Sequence, residues 1–373
     1  MDKPGAVNAR SPETRLNAIC PYYTMYPLDF PLKALRRAQP GDWVLDPFCG
    51  RGTTNFAARL RGMPSVGIYS NPVAAAIASA KMVSVRPEEI VDLCERILRD
   101  RNGGAELPEG EFWQLCYHRD TLKEIIVLRN YLMKSTLAPV EIALRAILLG
   151  ILHGPKNKGA PSYLSNQMPR TYATKPNAAV KFWKTRGLLP ERIETVEIVR
   201  RKAYYFYGHV PKFNRGIILN RDSRTLELDD LPEKFKWVVT SPPYYGMRTY
   251  IPDQWLRYWF LGGPGEVSYS MDGQLQHTSE EQFAADLAAV WSRVARWCAG
   301  GTRLVARFGA LPSKTLDPRE LFKQSIVAAD AGWKIQTIRS AGNSLRGRRQ
   351  ASQFKRASPE ALEEYDIYAV LEV

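Results

Sequence analysis

Several features that mark other classes of protein are absent from this sequence of 373 residues. No run reaches the roughly 18 consecutive apolar residues needed to span a bilayer. Residues 1–15 are polar and have no apolar signal core. The five cysteines are scattered without any CxxC pair, which favours neither a disulfide framework nor a zinc site, and the four histidines are dispersed. We therefore expect a cytoplasmic protein without a metal site or a membrane anchor.

Acidic residues are also scarce relative to basic ones, 38 against 52, which gives a net charge of +14. A basic protein attracts polyanions by neutralising phosphates and releasing counterions. Because many basic proteins bind no nucleic acid specifically, the charge by itself leaves a nucleic-acid partner open. The hydrophobic content of 45% is sufficient for a full core, in one large domain with an insertion or in two domains.

Two strand-to-helix units lie near the start of the chain. Residues 42–47 have the pattern of a short buried strand, and residues 53–61 that of the helix after it. A second strand at 65–69 precedes a helix from Asn71 to about residue 82. This order predicts a parallel, doubly wound α/β sheet. Later strands are predicted at 216–219, 237–240, 303–307, 333–338 and 367–371.

The pattern changes between these two groups of strands. Helices are predicted at 117–137 and 139–152, followed by a loop-like stretch and by a basic, aromatic segment at 181–207. We interpret this region as an insertion that is largely helical. The predicted domains are a sheet domain, residues 1–101 and 214–373, and an inserted domain, residues 102–213.

A glycine-rich loop, DPFCGRGTT at residues 46–54, connects the first strand to its helix. Gly50 and Gly52 permit close backbone approach, and the first N–H groups of the helix can bind a carboxylate. In a doubly wound sheet this loop lies where the ligand crevice opens. The alternative is a tight strand-to-helix connection without a ligand. The predicted cofactor-binding residues here are Asp46, Phe48, Cys49, Gly50, Gly52, Thr53 and Thr54.

The second predicted strand ends in Tyr69, followed by Ser70 and Asn71, where an acidic residue is expected if a ribose is bound. A carboxylate in that place accepts hydrogen bonds from both ribose hydroxyls. Here Tyr69 can stack on an adenine ring, and Ser70 or Asn71 can bond the ribose. We assign all three residues to the cofactor site, with a packing aromatic as the alternative for Tyr69.

A Pro-Pro turn, Ser241-Pro242-Pro243-Tyr244, follows the strand predicted at 237–240. Two prolines fix the backbone and remove N–H donors, which leaves carbonyl acceptors. An exocyclic base amine is a poor nucleophile because its lone pair is delocalised into the ring. Hydrogen bonds from that amine to the Ser241 hydroxyl and the Pro242 carbonyl favour a pyramidal nitrogen that attacks a sulfonium methyl group in line. Tyr244 can stack on the extruded base, although a Pro-Pro turn by itself is often structural.

With these two motifs together, the sequence resembles the amino-methyltransferases of DNA, which form N4-methylcytosine or N6-methyladenine. The DPFCGRGTT loop is similar to that family's motif for S-adenosylmethionine, and TSPPY is similar to its catalytic motif in the Ser form typical of cytosine-N4 enzymes. The resemblance covers about residues 19–82 and 216–373. It implies a Rossmann-like class I methyltransferase fold with a mostly parallel sheet, S-adenosylmethionine as cofactor, and Ser241, Pro242, Pro243 and Tyr244 as catalytic residues.

Two further segments match the family by position. Residues 20–27 are similar to the family segment that packs against the methionine end of the cofactor, which implies cofactor contacts for Tyr23 and Thr24. Asp222, after the strand predicted at 216–219, matches the acidic residue that holds the adenine amine of the cofactor. The alternative for Asp222 is a helix cap or a turn residue.

The resemblance implies double-stranded DNA as substrate, with the target base flipped out and methylated by direct attack in a specific sequence. Cytosine N4 is the favoured target. Adenine N6, an amine of an RNA base, and a nucleic-acid-binding protein without catalysis remain as alternatives. A restriction-modification system with a cognate restriction enzyme is a setting consistent with this activity, which requires no metal.

Basic residues alternate with aromatic ones in the insertion, and a second basic run lies at 346–356. Cations bind phosphates and aromatic rings stack on bases, so we interpret the insertion as a target-recognition domain. The alternatives are a solvated basic face and a surface loop. The predicted nucleic-acid contacts are Arg170, Lys175, Lys181, Lys184, Arg248, Arg346, Arg348 and Arg349.

Overall fold

The computed structural model of the protein describes most of the chain. The described residues are 11–21, 26–100, 106–156, 159–168, 175–211, 215–228, 234–245, 254–267, 275, 279–309, 316–343 and 363–372. They contain a seven-stranded sheet with helices on both faces. The strands are β1 (Val44–Asp46), β2 (Ser65–Ile68), β3 (Gly216–Leu219), β4 (Phe235–Thr240), β5 (Cys298–Gly309), β6 (Trp333–Asn343) and β7 (Glu363–Leu371).

The strand order in the sheet is β3-β2-β1-β4-β5-β7-β6. Pairing is parallel from β3 to β5, whereas β7 is antiparallel to both of its neighbours. The chain passes from β1 to β2 and β3 on one side, and then returns to β4 on the other side. The prediction of a doubly wound, mostly parallel, Rossmann-like sheet is therefore confirmed. The crevice of such a sheet opens between β1 and β4, where the direction of winding reverses.

Short and long helices surround the sheet, and a 3-10 helix at Pro12–Ala18 precedes them. Among the described residues, no helix combines the length and the apolar character needed to cross a membrane. In chain order the helices are α1 (Asp29–Ala34), α2 (Thr53–Leu60), α3 (Pro72–Ala80), α4 (Pro87–Arg99), α5 (Glu111–Cys116), α6 (Arg119–Leu132), α7 (Pro139–Ile151), α8 (Pro176–Arg186), α9 (Thr195–Tyr207), α10 (Trp255–Phe260), α11 (Glu280–Trp297) and α12 (Pro318–Ala329).

Alternation along the strands divides the apolar residues between two cores. Val44, Val239 and Val305 contribute to a cluster that also contains the buried faces of α2 to α9. Leu45 and Val238 contribute to a second cluster, which lies on the opposite face of the sheet with α11 and α12. Successive side chains of a strand point to opposite faces, so strands buried on both sides appear in the sequence as continuous apolar runs.

The described residues between 106 and 211 are largely helical, and their apolar side chains are part of the same cluster as those of α2 and α3. Helix α7 approaches residues 19–20 closely, because a Cβ atom at Gly150 would lie 2.6 Å from the Ile19 carbonyl oxygen. The division of the chain into a sheet domain and an inserted target-recognition domain stays a prediction.

Most elements predicted from periodicity are present, with shifted ends. The helix predicted at 117–137 spans Arg119–Leu132, and Ala138, which precedes Pro139, has extended backbone angles. Residues 133–138 form an irregular connection between α6 and α7, and only Ala138 within it is restricted by the proline that follows. The amphipathic helices α11 and α12 and the separate helices α8 and α9 are additional to the predicted elements.

Candidate active site

The two sequence motifs meet at the carboxyl edge of the sheet. Asp46 is the last residue of β1, and Thr240, which precedes the Pro-Pro turn, is the last residue of β4. The two strands are neighbours, with Val44 paired to Trp237 and Leu45 to Val238. The glycine-rich loop and the Pro-Pro turn therefore lie side by side at the crevice between β1 and β4.

Glycine is required in the loop for two different reasons. Gly52 has a φ of 74°, and a Cβ atom there would lie 2.8 Å from the Cβ of Ala78 on α3. Gly50 has a φ of 50°, but no atom lies within 4 Å of the position of its missing Cβ. Gly52 thus permits α2 and α3 to pack closely, while Gly50 leaves the loop open on one side.

The loop fits the amino-acid moiety of S-adenosylmethionine. Helix α2 begins with Gly52 as its N-cap, and no side chain caps its first turn. Its first N–H groups can therefore bind a carboxylate beside the open space at Gly50. Cys49, Thr53 and Thr54 are at least 98% buried. Burial raises the pKa of the Cys49 thiol well above its usual range, so this thiol stays neutral beside a ligand.

Asp46 joins the glycine-rich loop to the Pro-Pro turn. Its carboxylate is fully buried. The Thr240 hydroxyl donates to Oδ1 at 2.6 Å, and the Phe48 backbone N–H donates to the same oxygen at 3.1 Å. The Tyr26 hydroxyl donates to Oδ2 at 3.0 Å. One side chain therefore fixes the ends of β1 and β4 and the segment before β1 relative to one another.

The hydrogen bonds continue from Tyr26 to β4. The hydroxyl oxygens of Tyr26 and Thr54 are 2.6 Å apart, and the Thr54 hydroxyl donates to the Val239 carbonyl at 3.0 Å. When Asp46 is ionised, only the hydroxyl protons of Tyr26 and Thr54 are available for three contacts, namely Asp46 to Tyr26, Tyr26 to Thr54 and Thr54 to Val239. When Asp46 is protonated, its own proton completes the third hydrogen bond. Burial raises the pKa of Asp46 to about 6, although the hydrogen bonds from Thr240 and Tyr26 oppose this shift.

The residues of the Pro-Pro turn are buried or half-buried. Ser241 is half-buried, and among the described residues its hydroxyl has no hydrogen-bond partner. Tyr244 is only 7% exposed, and its ring packs edge-on against Phe308 with 6.2 Å between the centroids. A Cβ atom at Gly309 would lie 3.3 Å from the Tyr244 ring, so a larger residue would displace the aromatic side chain.

On the other side of β1, polar residues follow β2 and β3. Tyr69 is half-buried, and burial raises the pKa of its phenol to about 12. Asn71 caps α3, since its side chain accepts from the N–H groups of Val73 and Ala74. The Asn220 side chain donates to the backbone carbonyls of Tyr69 and Ser70 at 2.8 and 2.9 Å. Tyr69, Ser70 and Asn71 are thus brought to one place, and their cofactor contacts stay predictions.

Asp222 lies just after β3 and is held by Arg224. The Nη2 atom of Arg224 is 2.7 Å from Asp222 Oδ2, and Nη1 is 3.1 Å from Asp286 on α11. Although burial opposes ionisation, the hydrogen bonds from Arg224 keep the pKa of Asp222 below its usual value. Asp222 is therefore an ionised, half-buried carboxylate at the carboxyl edge of the sheet, and both of its oxygens accept hydrogen bonds from Arg224. Its contact with the adenine amine stays a prediction.

Three buried cations hold the segment that precedes β1. Burial lowers the pKa of the Lys81 ammonium well below its usual range. The three cations bind residues 17–21. Arg51 donates to the Cys20 carbonyl at 3.0 Å, Lys81 to the Asn17 side chain at 2.8 Å, and Arg257 to the Pro21 carbonyl at 2.7 Å.

Tyr23 and Thr24, which are predicted to contact the cofactor, lie outside the described residues.

Tyr26, Thr240, Arg51 and Arg257 were not among the predicted site residues. The motif letters contain Thr240 and Arg51, but nothing in the sequence shows that Thr240 bonds to a carboxylate 194 residues away. Tyr26 lies in the segment matched by position, where Tyr23 and Thr24 were preferred. Among the described residues, no group of potential ligands could hold a metal ion.

The predicted nucleic-acid contacts are only partly described. Lys175 precedes α8, and Lys181 and Lys184 lie on it, all three exposed. Lys184 forms an exposed ion pair with Glu111. These three positions stay predictions. Arg170, Arg248, Arg346, Arg348 and Arg349 lie outside the described residues.

The first part of the chain matches a known family of proteins. Residues 8–80 match a family model described as DNA methylase. This stretch contains β1, the glycine-rich loop, β2 and Tyr26, which donates to Asp46, but not the Pro-Pro turn. No curated protein matches the chain.

Solved structures show a distant likeness. One is an S-adenosylmethionine-dependent methyltransferase of Methanosarcina mazei, with 10% identity and a TM-score of 0.35 over 94% of this chain and 99% of that one. TrmN of Thermus thermophilus has 10% identity and a TM-score of 0.34 over 91% of this chain and 48% of its own. The cyclase SpnF has 10% identity and a TM-score of 0.39 over 97% and 92%.

The sequence motifs predicted a resemblance to the amino-methyltransferases of DNA. The family match over residues 8–80 confirms that resemblance for the part of the chain that forms the glycine-rich loop, and it indicates a methyltransferase that uses S-adenosylmethionine.

Proposed function

We propose that this protein transfers a methyl group from S-adenosylmethionine to the N4 amine of cytosine in double-stranded DNA. The observation that carries the proposal is the buried contact between Asp46 and Thr240, at 2.6 Å. It joins the loop suited to the cofactor to the turn suited to an exocyclic amine. A cofactor loop alone is compatible with many acceptors, whereas its fixed position beside a Ser-Pro-Pro-Tyr turn is specific to amine methylation.

The cofactor is held by the chain at two places. The N–H groups at the start of α2 and the open space at Gly50 receive the amino-acid end, and Asp222, Ser70 and Asn71 receive the adenosine end. Bound S-adenosylmethionine supplies a methyl group on a positively charged sulfur, which needs no metal for activation. Cys49 and Phe48 line the loop between these two ends.

The Pro-Pro turn prepares the acceptor. The Ser241 hydroxyl and the Pro242 carbonyl accept hydrogen bonds from the exocyclic amine, which localises the nitrogen lone pair and directs it towards the methyl group. Pro242 and Pro243 keep these acceptors rigid. Tyr244 stacks on the flipped base, with Phe308 supporting its ring from the core.

The choice of cytosine rests on Ser241 as the first residue of the turn, and the choice of DNA rests on the family match. The net charge of +14 supports a polyanionic substrate. Lys175, Lys181 and Lys184 are proposed contacts to its phosphates, within a target-recognition domain at residues 102–213. A restriction-modification system would supply both a specific target sequence and a cognate restriction enzyme.

The test is nucleoside mass spectrometry of unmethylated DNA incubated with the protein and methyl-labelled S-adenosylmethionine. We expect labelled N4-methylcytosine with the wild type and none with Ser241→Ala. Labelled N6-methyladenine would be consistent with the mechanism but would show that adenine is the target base. Label in RNA alone would show that RNA, and not DNA, is the substrate. Tight cofactor binding without methylation of any nucleic acid would contradict the proposed function.

A further inference from the structure

One face of the sheet carries arginines that lie over aromatic rings. The face is the one that bears Val239 and Val305, on the side of the first core cluster. Arg303 and Arg307 project from β5 on the same side as Val305, because side chains alternate along a strand. The guanidinium carbons lie 5.2 Å from the ring centroid of Trp237 for Arg303, 4.3 Å from that of Phe30 for Arg307, and 5.5 Å from that of Tyr368 for Arg339.

Strand pairing arranges the cations of this face in two rows. Arg307, Asp366 and Arg339 stand opposite one another on β5, β7 and β6. Arg303 and Lys334 stand opposite the same residue of β7 in a second row. The rows are separated by about 13 Å, at roughly 3.3 Å per strand residue. A strand of B-DNA advances about 3.4 Å per phosphate, so the two rows span several phosphates.

Two cations of the rows have no carboxylate partner among the described residues. Arg303 and Arg339 are exposed, and each lies over a ring. A guanidinium that rests on an aromatic ring loses little further freedom when it binds a phosphate. The other two cations are neutralised within the sheet, Arg307 by Asp366 at 2.7 Å and Lys334 by Glu372.

Helix α1 and the turn after it extend the positive surface. Lys33 and Arg36 are exposed, and Lys33 lines a cavity of about 220 Å³ together with Arg307 and Tyr368. Burial and the charge of Asp366 raise the pKa of Tyr368, and the charges of Arg339, Arg307 and Arg36 oppose the shift. Asp29 is an exposed acid at this cavity.

We infer that this surface, termed the arginine face and formed by Lys33, Arg36, Arg303 and Arg339, binds the phosphate backbone of duplex DNA. All four cations are exposed, and Arg303 and Arg339 lie over rings. Of the two acids that line the cavity beside Lys33, Asp29 is exposed and Asp366 is paired with Arg307. The inference rests on the proposed function only for the choice of DNA as the polyanion. The arginine face would hold DNA away from the Pro-Pro turn and would contribute affinity independent of sequence.

The test is the salt dependence of binding to a 30-base-pair duplex, followed by fluorescence anisotropy. Arg303→Gln/Arg339→Gln is compared with the wild type and with Arg96→Gln/Arg99→Gln, which removes two exposed arginines from α4. Loss of two phosphate contacts should lower the slope of log K against log salt by about two and weaken binding at 0.1 M salt by roughly tenfold or more. The α4 variant should bind as the wild type does.

A second variant, Arg303→Lys/Arg339→Lys, retains both charges and should keep the slope of the wild type. An unchanged slope in the glutamine variant would overturn the inference, as would equal losses in the α4 variant. If the glutamine variant lost binding to polyglutamate but not to DNA, the face would be assigned to an acidic protein, and the inference would also be overturned. Methylation of the same duplex by the wild type is a separate readout of the proposed function. If the wild type methylates DNA and the glutamine variant has an unchanged slope, the arginine face is contradicted and the proposed function is not.

Discussion

The polar residues at the carboxyl edge of the sheet are held differently on the two sides of β1. On the β4 side, Asp46 and Thr240 are fully buried and bond across 194 residues of chain. On the β2–β3 side, Asn71 and Asp222 are half-buried, and their polar partners include residues only two or three positions away. Buried long-range bonds set the relative position of chain segments, whereas half-buried local bonds can be exchanged for bonds to a ligand. We therefore expect changes on the β4 side to affect turnover and stability, and changes on the other side to affect cofactor affinity.

The largest effect is expected for Ser241→Ala. Removing an acceptor that acts in the transition state should lower the turnover number by roughly 100- to 1,000-fold, as for other single hydrogen bonds of this kind. The dissociation constant of S-adenosylmethionine should be unchanged, because Ser241 belongs to the turn for the acceptor. Methyl-transfer assays and calorimetric titration of the cofactor measure the two quantities.

Ser292→Ala is the control for this substitution, since Ser292 donates to the Ala329 carbonyl at 2.6 Å, between α11 and α12. It should leave turnover intact. Full activity of Ser241→Ala would remove the Pro-Pro turn from the reaction, and a parallel loss of cofactor binding would show that the comparison between the two sides is wrong.

The next effect is a pH dependence of stability that originates at Asp46. Its pKa of about 6 in the folded protein exceeds the unfolded value of about 3.9, so the folded state binds the proton more tightly. The contribution of Asp46 to stability is thus fully present below about pH 4 and is lost as the pH rises through 6. Two pKa units correspond to about 3 kcal/mol.

Urea denaturation of the wild type and of Asp46→Asn between pH 4 and 7 measures this contribution. The free energy of unfolding of the wild type should fall relative to that of the variant as the pH rises. Parallel curves would mean that Asp46 does not titrate in this range, and a rise relative to the variant would show that its pKa is depressed.

A smaller effect is expected for Thr240→Val, which keeps the shape of the side chain and removes the bond to Asp46. Leaving a buried carboxylate oxygen with one donor fewer should cost about 1–3 kcal/mol of unfolding free energy. Turnover should fall more than cofactor affinity, because the Pro-Pro turn begins at the next residue.

Thr240→Ser restores the hydroxyl and should recover both stability and turnover. If the serine variant is as impaired as the valine variant, packing of the Thr240 methyl group, and not its hydrogen bond, connects the loop to the turn.

The smallest effect is expected on the other side of β1, for Asp222→Ala. Loss of one acceptor for the adenine amine should weaken cofactor binding roughly tenfold, or about 1.4 kcal/mol, with turnover at saturating cofactor unchanged. Asp286→Asn is the control, because it alters the second carboxylate that binds Arg224 without changing Asp222. Equal weakening in both variants would assign the effect to Arg224 and not to the adenine contact.

Local signals in the sequence were sufficient for the strands, the helices α2 and α3, and the two motifs. The strands around β1 are buried on both faces and therefore appear as short apolar runs, and Asn71-Pro72 marks the start of α3. The helices α8, α9, α11 and α12 were missed, although their sequences are amphipathic. The end of α6 was predicted five residues too late, because residues 133–138 form a connection without helical structure between α6 and α7.

Long-range contacts in the site could not be predicted in the same way. The pairing of Asp46 with Thr240 and Tyr26, and the three cations that bind residues 17–21, depend on which elements become neighbours. The arginine face is equally hidden, since Arg303 and Arg339 lie on strands that are separated in the sheet by β7.

The sequence by itself determined the doubly wound sheet, the glycine-rich loop and the Pro-Pro turn, because backbone preferences and apolar periodicity act over a few residues. Only the tertiary structure decided which side chains connect that loop to that turn, and that Asp46 is the buried carboxylate between them. The reason is physical: the pKa of a carboxyl group and the direction of its hydrogen bonds depend on burial and on donors that the fold brings from distant parts of the chain.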